Sequence, residues 1–282
     1  MALTIPWKKK LADVELSGFE GRDVVWAWYY LKKYNLNFEF SPFDSLEKSV
    51  HEIVDTIGKY QSYRFQELRE YKKNRIVPLR EFSFVENEDL RMINYLFHQL
   101  ETKLNTRVEP EWYIASMTYK QIIQLAFDLH DQNATYKLKV LNNIRESYSE
   151  NLEIGRSLIW IDEKDEAQSF WLSEMACQFE FPEPILKALN SPTNAKQRVL
   201  RFKAMFDQYE CSRSVKKSIA NEIKRSWNNK KKSDDTSKTQ FNVLLNPETK
   251  DHIKILKIKL GVRSQSDVIE QLVHDAMKSF HN

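Results

Sequence analysis

Glycine and cysteine are the scarce residues of this sequence: five glycines and two cysteines in 282 residues. So few glycines leave little material for the tight turns of an all-β fold, and the chain is expected to be built from helices. Cys177 and Cys211 stand apart, with no CxxC pair and no metal-ligand spacing, so neither a disulfide framework nor a zinc site is expected. Reducing, cytoplasmic surroundings suit such a composition. No apolar run approaches the roughly 20 residues of a membrane span. The opening MALTIPWKKK has its lysines after a very short apolar stretch, with no apolar core behind them as a secretory signal requires. The six histidines are scattered singly without HExxH spacing, and there is no Walker loop, GxGxxG or nucleophile elbow. The expectation is a protein that is not an enzyme, with no catalytic residues, no metal, no cofactor and no membrane association.

What is present is charge, aromatics and helical periodicity. Hydrophobic residues at 41% and aromatics at 12% are ample for a core. The net charge is only +3, yet residues 196–263 hold 18 Lys and Arg against 7 Asp and Glu, so the rest of the chain is net negative. A basic end on a neutral-to-acidic body suits a polyanion partner. Apolar residues at helical spacing predict helices over 21–34, 44–73, 87–105, 111–130 and 134–150, then at about 194–210 and 213–228. LIWID at 158–162 is the one internal strand-like run and equally suits the opening of a helix. The pairs Asp162, Glu163 and Asp165, Glu166 read as acidic residues complementing a helix start. Trp26, Trp28, Tyr29 and Tyr30 read as core before they read as a stacking platform for bases. The expected organisation is an α-helical body over 1–195, basic connecting helices over 196–229, a polar linker over 230–237 and a C-terminal domain over 238–282.

That C-terminal segment has a different rhythm. Residues 238–245, KTQFNVLL, alternate, with Phe241, Val243 and Leu245 on one side and Lys238, Gln240, Asn242 and Leu244 on the other, as a strand would. Asn246 then stands as an N-cap with Pro247 after it, and the next helix places Ile253, Leu256 and Leu260 on one face before Gly261 ends it. Ser264, three residues before Asp267, opens a second helix carrying Val268, Ile269, Leu272, Val273 and Ala276. About 40 residues bury too little apolar surface alone, and a lone strand needs a partner, so two copies are expected to associate.

Strand, helix, turn and helix in this order resemble the ribbon-helix-helix family, the Arc and MetJ superfamily. The resemblance implies a mainly α chain: a helical N-terminal body followed by a C-terminal ribbon-helix-helix that dimerises through one β-strand per chain and reads the DNA major groove. Matching positions assign base reading to Gln240, Asn242 and Leu244. Gln and Asn each donate and accept at once, as adenine requires, whereas Leu244 departs from the polar residue usual there and leaves only contact with a thymine methyl. Phosphate contacts fall on Lys238 and on Ser264, Gln265 and Ser266 at the second helix's N-terminus.

KKSIANEIKRSW at 216–227, WAWYYLKK at 26–33 and SDVIEQLVHDA near the end are also similar to the MatP family of macrodomain Ter proteins. That likeness implies phosphate contacts from Lys216, Lys217, Lys224 and Arg225, alongside Lys230, Lys231 and Lys232 of the basic stretch. The chain departs from that family in well over a hundred additional residues between the aromatic and basic helices, and in lacking a coiled coil after the second ribbon helix. Expected partners are double-stranded DNA, a second copy of the chain with higher assembly through the helical body, and a protein partner of that body. The expected role is nucleoid-associated organisation of bacterial chromosome or plasmid DNA, with transcriptional repression or an antitoxin function as alternatives.

Overall fold

The computed structural model describes residues 16, 19–60, 63–106, 117–234 and 244–280. Its elements are helical: α1 (Gly21–Lys32), α2 (Leu46–Tyr60), α3 (Arg64–Arg75), α4 (Leu90–Leu104), α5 (Tyr119–Leu129), α6 (Ala134–Gly155), α7 (Glu166–Gln178), α8 (Ala195–Gln208), α9 (Arg213–Asp234), α10 (Pro247–Leu260) and α11 (Gln265–Phe280), with short 3-10 turns after α3, α6 and α7. The chain forms two compact units, residues 1–228 and 229–282.

The mainly α expectation holds, but the C-terminal β-ribbon does not. Among the described residues there is no strand. Of the alternating octet, 238–243 lie outside the described residues, and Leu244 and Leu245 enter α10 without regular structure. The physical reason is that a strand is stable only when its backbone groups are paired, and no described segment of the chain offers an edge to pair with. LIWID is likewise no strand: its Leu158 closes the 3-10 turn Arg156–Leu158, and the residues after it are turn and irregular. Residues 44–73 hold two helices rather than one, and the polar stretch expected as a linker continues α9 as far as Asp234.

Helix starts in both units follow side-chain chemistry. Asp89, Asn133, Asp165, Asn194 and Asn246 each accept a hydrogen bond from the backbone N–H three residues on, and Thr118 with Gln121 forms a reciprocal box at the head of α5. Each such cap satisfies a donor that the helix cannot, worth about 1 kcal/mol.

The first unit is built on two apolar clusters. The larger gathers Trp26 and Leu31 of α1, Ile53 and Ile57 of α2, Leu68 of α3, Phe97 of α4, Phe127 of α5 and Leu141 of α6. Trp26 is fully buried and stacks on Tyr71 with ring centroids 4.5 Å apart, so no base can reach it. The smaller cluster packs Leu172 of α7, Val199, Phe202 and Phe206 of α8, and Ile219, Ala220, Ile223 and Trp227 of α9.

Buried charge ties the larger cluster together. Arg22 of α1 grips both oxygens of Asp128 at the end of α5 at 2.6 Å each. The Asp128 carbonyl accepts from Tyr71 of α3 at 3.1 Å and from the Lys137 ammonium of α6 at 3.3 Å, and Lys137 also donates to the Arg75 carbonyl at 3.0 Å. Burial pushes the Asp128 carboxyl up, and Arg22 and Lys137 pull against it.

Burial lowers the Lys137 ammonium from its usual 10.5 to about 8. The folded protein therefore gives up this proton before the unfolded chain does, so between those values unfolding takes a proton up and stability rises with pH. Tyr30, Tyr95 and Tyr148, whose phenols burial pushes up, act in the opposite sense only above about pH 10, where tyrosine in an unfolded chain ionises. Urea unfolding followed from pH 8 to pH 10 is expected to show stability rising in the parent and a flatter slope in Lys137→Met; equal slopes would contradict this burial of charge.

Candidate nucleic-acid interface

α9 presents two faces of opposite character. Lys216, Ile219, Ala220, Ile223 and Trp227, spaced three and four apart, are buried, and Trp227 packs on Trp171 of α7 with centroids 5.1 Å apart. Lys217, Lys224 and Arg225 are exposed in the first unit. The last turns of α9 lie in the second unit and expose Lys230, Lys231 and Lys232, with Lys230 3.3 Å from Asp234.

Lys216 is not on the exposed face with its neighbours. Its ammonium donates to Asn151 Oδ1 at 2.9 Å and to the Asp207 carbonyl at 3.0 Å, and only 4% of the residue is exposed. Burial lowers its pKa while Asp207 pulls it back up. Held there, Lys216 fixes the root of α9 and cannot reach a phosphate.

The second unit sets α10 against α11 across the turn at Gly261, whose φ of +65° is the left-handed conformation that glycine adopts without strain. At the head of α11, Ser264 Oγ accepts from Asp267 N–H at 3.1 Å while Asp267 Oδ2 accepts from Ser264 N–H at 2.9 Å. The expected phosphate clamp at Ser264, Gln265 and Ser266 thus already holds a carboxylate, and what remains for an anion there is the first-turn amides. Gln240, Asn242 and Lys238 lie outside the described residues, and Leu244 is fully exposed.

Only Ile253 and Val268 of this helix pair are buried. Ile269, Leu272, Val273, Met277 and Phe280 run along α11 at helical spacing and are exposed, as are Ile255, Ile258 and Leu260 of α10. Exposed large apolar side chains are thus numerous on so small a unit. Lys250, Lys254, Lys259 and Arg263 are exposed on the same pair, with Lys254 held 2.9 Å from Asp251.

No family model, curated protein or solved structure matches this chain. No described helix is long and apolar enough to cross a membrane, and among the described residues no group of three or more His, Cys, Asp or Glu side chains is placed to hold a metal ion.

Periodicity in the sequence shows the difference between Lys216 and Lys217, because Lys216 shares its stripe with Ile219, Ala220, Ile223 and Trp227. The charge run of the whole segment obscures it. Lys216→Ala removes the donor from two buried acceptors and is expected to cost about 2–4 kcal/mol of stability, whereas Lys217→Ala stays within about 0.5 kcal/mol. Urea unfolding of the two variants checks this, and equal losses would place both lysines in the same environment.

Proposed function

We propose that the protein is a homodimeric DNA-binding protein, in which the second unit associates with its copy through the exposed faces of α10 and α11 and exposed basic side chains contact phosphates. The observation that carries this reading is the combination within the second unit of exposed apolar side chains, Ile269, Leu272, Val273 and Phe280, with exposed lysines and Arg263. A helix pair of this size needs a partner to be stable, and a second copy supplies the same stripe in a closed, two-fold arrangement. Each large side chain on it contributes about 1.5–3 kcal/mol when fully buried.

The charge distribution supports DNA as the partner: the basic segment is attached to a body of net negative charge, which orients a polyanion toward one end of the chain. Phosphate contacts are assigned to Lys217, Lys224 and Arg225 in the first unit and to Lys230, Lys231 and Lys232 in the second. Dimeric binding suits organisation of chromosome or plasmid DNA and suits repression equally well; many dispersed genomic sites would mark the former, and a single upstream site the latter.

The test is the salt dependence of binding to a DNA duplex, followed by fluorescence anisotropy on the full-length protein. Replacing Lys217, Lys224 and Arg225 together by Ala is expected to flatten the slope of log affinity against log salt by about 0.9 for every phosphate that the variant no longer neutralises. An unchanged slope in a folded variant would return these residues to a merely solvated face. The mass in solution is expected to be twice the 33.6 kDa of one chain, and to fall to that of one chain when Leu272 and Val273 are both replaced by Glu.

A further inference from the structure

A hollow of about 260 Å3 lies within the first unit, walled by α4, α6 and the junction of α8 with α9. Its size is below the roughly 300–1,000 Å3 of pockets for drug-sized molecules, and it would hold on the order of eight waters. Its wall is unusually polar for a buried floor. Tyr95, Gln99, Asn151, Gln208 and Lys216 all line it, and each is at most 8% exposed.

Gln208 is the telling residue. It is 2% exposed, and among the described residues neither its amide nitrogen nor its amide oxygen has a hydrogen-bond partner. An amide buried in this way leaves two donors and an acceptor oxygen unsatisfied, at a cost of about 1–3 kcal/mol. Lys216 adds a further donor: two of its three N–H groups go to Asn151 and the Asp207 carbonyl, which leaves one. A second hollow of about 520 Å3 shares Gln99, Lys103, Ser147 and Glu150 with the first.

The charges in the wall select among ligands. Asp207 is committed to Arg91, and Arg213 to Glu153 at 2.6 Å. That leaves two cations, Lys103 and Lys216, and two carboxylates, Glu150 and Glu210, the latter 3.7 Å from His98, whose imidazole burial keeps toward the neutral form. A phosphorylated ligand would meet as much negative charge as positive. A small molecule that itself carries one charge of each sign meets a complement for both, and an adjacent hydrogen-bonding edge complements the Gln208 amide.

We propose that this hollow is a binding site for a small zwitterion of the amino-acid type, with Lys216 facing its carboxylate, Glu150 its ammonium, and Gln208 supplying the amide that orients it. This goes beyond DNA binding and does not depend on it, since none of the residues involved is among those to which the proposed function assigns phosphate contacts.

The test uses the full-length protein and the twenty protein amino acids one at a time, read by thermal unfolding and then by isothermal titration. At least one is expected to raise the melting temperature saturably at millimolar concentration. Two variants locate the site: Gln208→Met, which keeps the volume and removes both unpaired polar atoms, and Glu150→Gln at the exposed rim, which does not disturb the core. Each is expected to weaken binding about tenfold or more. The proposal is overturned if none of the twenty binds, the hollow then holding water only, or if the amino acid that binds does so as tightly in both variants as in the parent. Should Gln208→Met fail to fold, Glu150→Gln alone decides.

Discussion

Asp207 joins four helices of the first unit in one buried contact. Its carboxylate at the end of α8 is held by the Arg91 guanidinium of α4, with Nη2 at 2.8 Å from Oδ1, and its backbone carbonyl accepts from Asn151 of α6 and Lys216 of α9. The guanidinium lies so near α6 that a Cβ on Gly155 would meet Nη2 at 3.0 Å, which makes a residue without a side chain the fitting one there. Removing one member of such a pair leaves a charge buried and uncompensated, at about 3–5 kcal/mol. The root of α9 is set by this contact, and with it both the side of α9 that exposes Lys217, Lys224 and Arg225 and the polar wall of the hollow beside Gln208.

The two units differ in how they satisfy their apolar surface. The first closes two clusters on itself, around Trp26 and Phe127 and around Phe202 and Trp227. The second buries Ile253 and Val268 and leaves Ile269, Leu272, Val273 and Phe280 of α11 exposed. A domain of that size gains little from its own core to offset the entropy of ordering its chain, which is why association is proposed for it. In the proposed dimer, folding and pairing of the second unit would be coupled, so that its lysines and Arg263 act on DNA together with those of the second copy.

Much of the fold was legible in the sequence, and the failures have physical causes. Helices with a single apolar stripe and a polar cap were plain, as in α10, where Asn246, Pro247 and Gly261 mark both ends. The start of α7 was legible in its acidic residues, with Asp165 as N-cap and Glu166 in the first turn, but its extent was not, because Phe170, Trp171, Leu172 and Met175 are not confined to one side: Trp171 and Leu172 are buried while Phe170 is exposed. Alternation over 238–245 suggested a strand, but period two over eight residues carries no information about a pairing edge, and pairing decides whether a strand exists. At the candidate site, charge composition marked the basic segment without separating Lys216 from Lys217; that required the stripe on which each residue sits. Gln208 gave no sequence cue at all, since its significance is an amide without partners and appears only when the surrounding helices are assembled.

Completion of the second unit by a second copy, as proposed, is open to direct measurement. Amide hydrogen exchange of the full-length protein, measured over a dilution series that crosses the dimer dissociation constant, tests it most directly. Protection in α10 and α11 is predicted to fall as the protein is diluted, while that of α4, α5 and α8 stays constant. Protection of α10 and α11 that is independent of concentration, with a mass of one chain throughout, would contradict it.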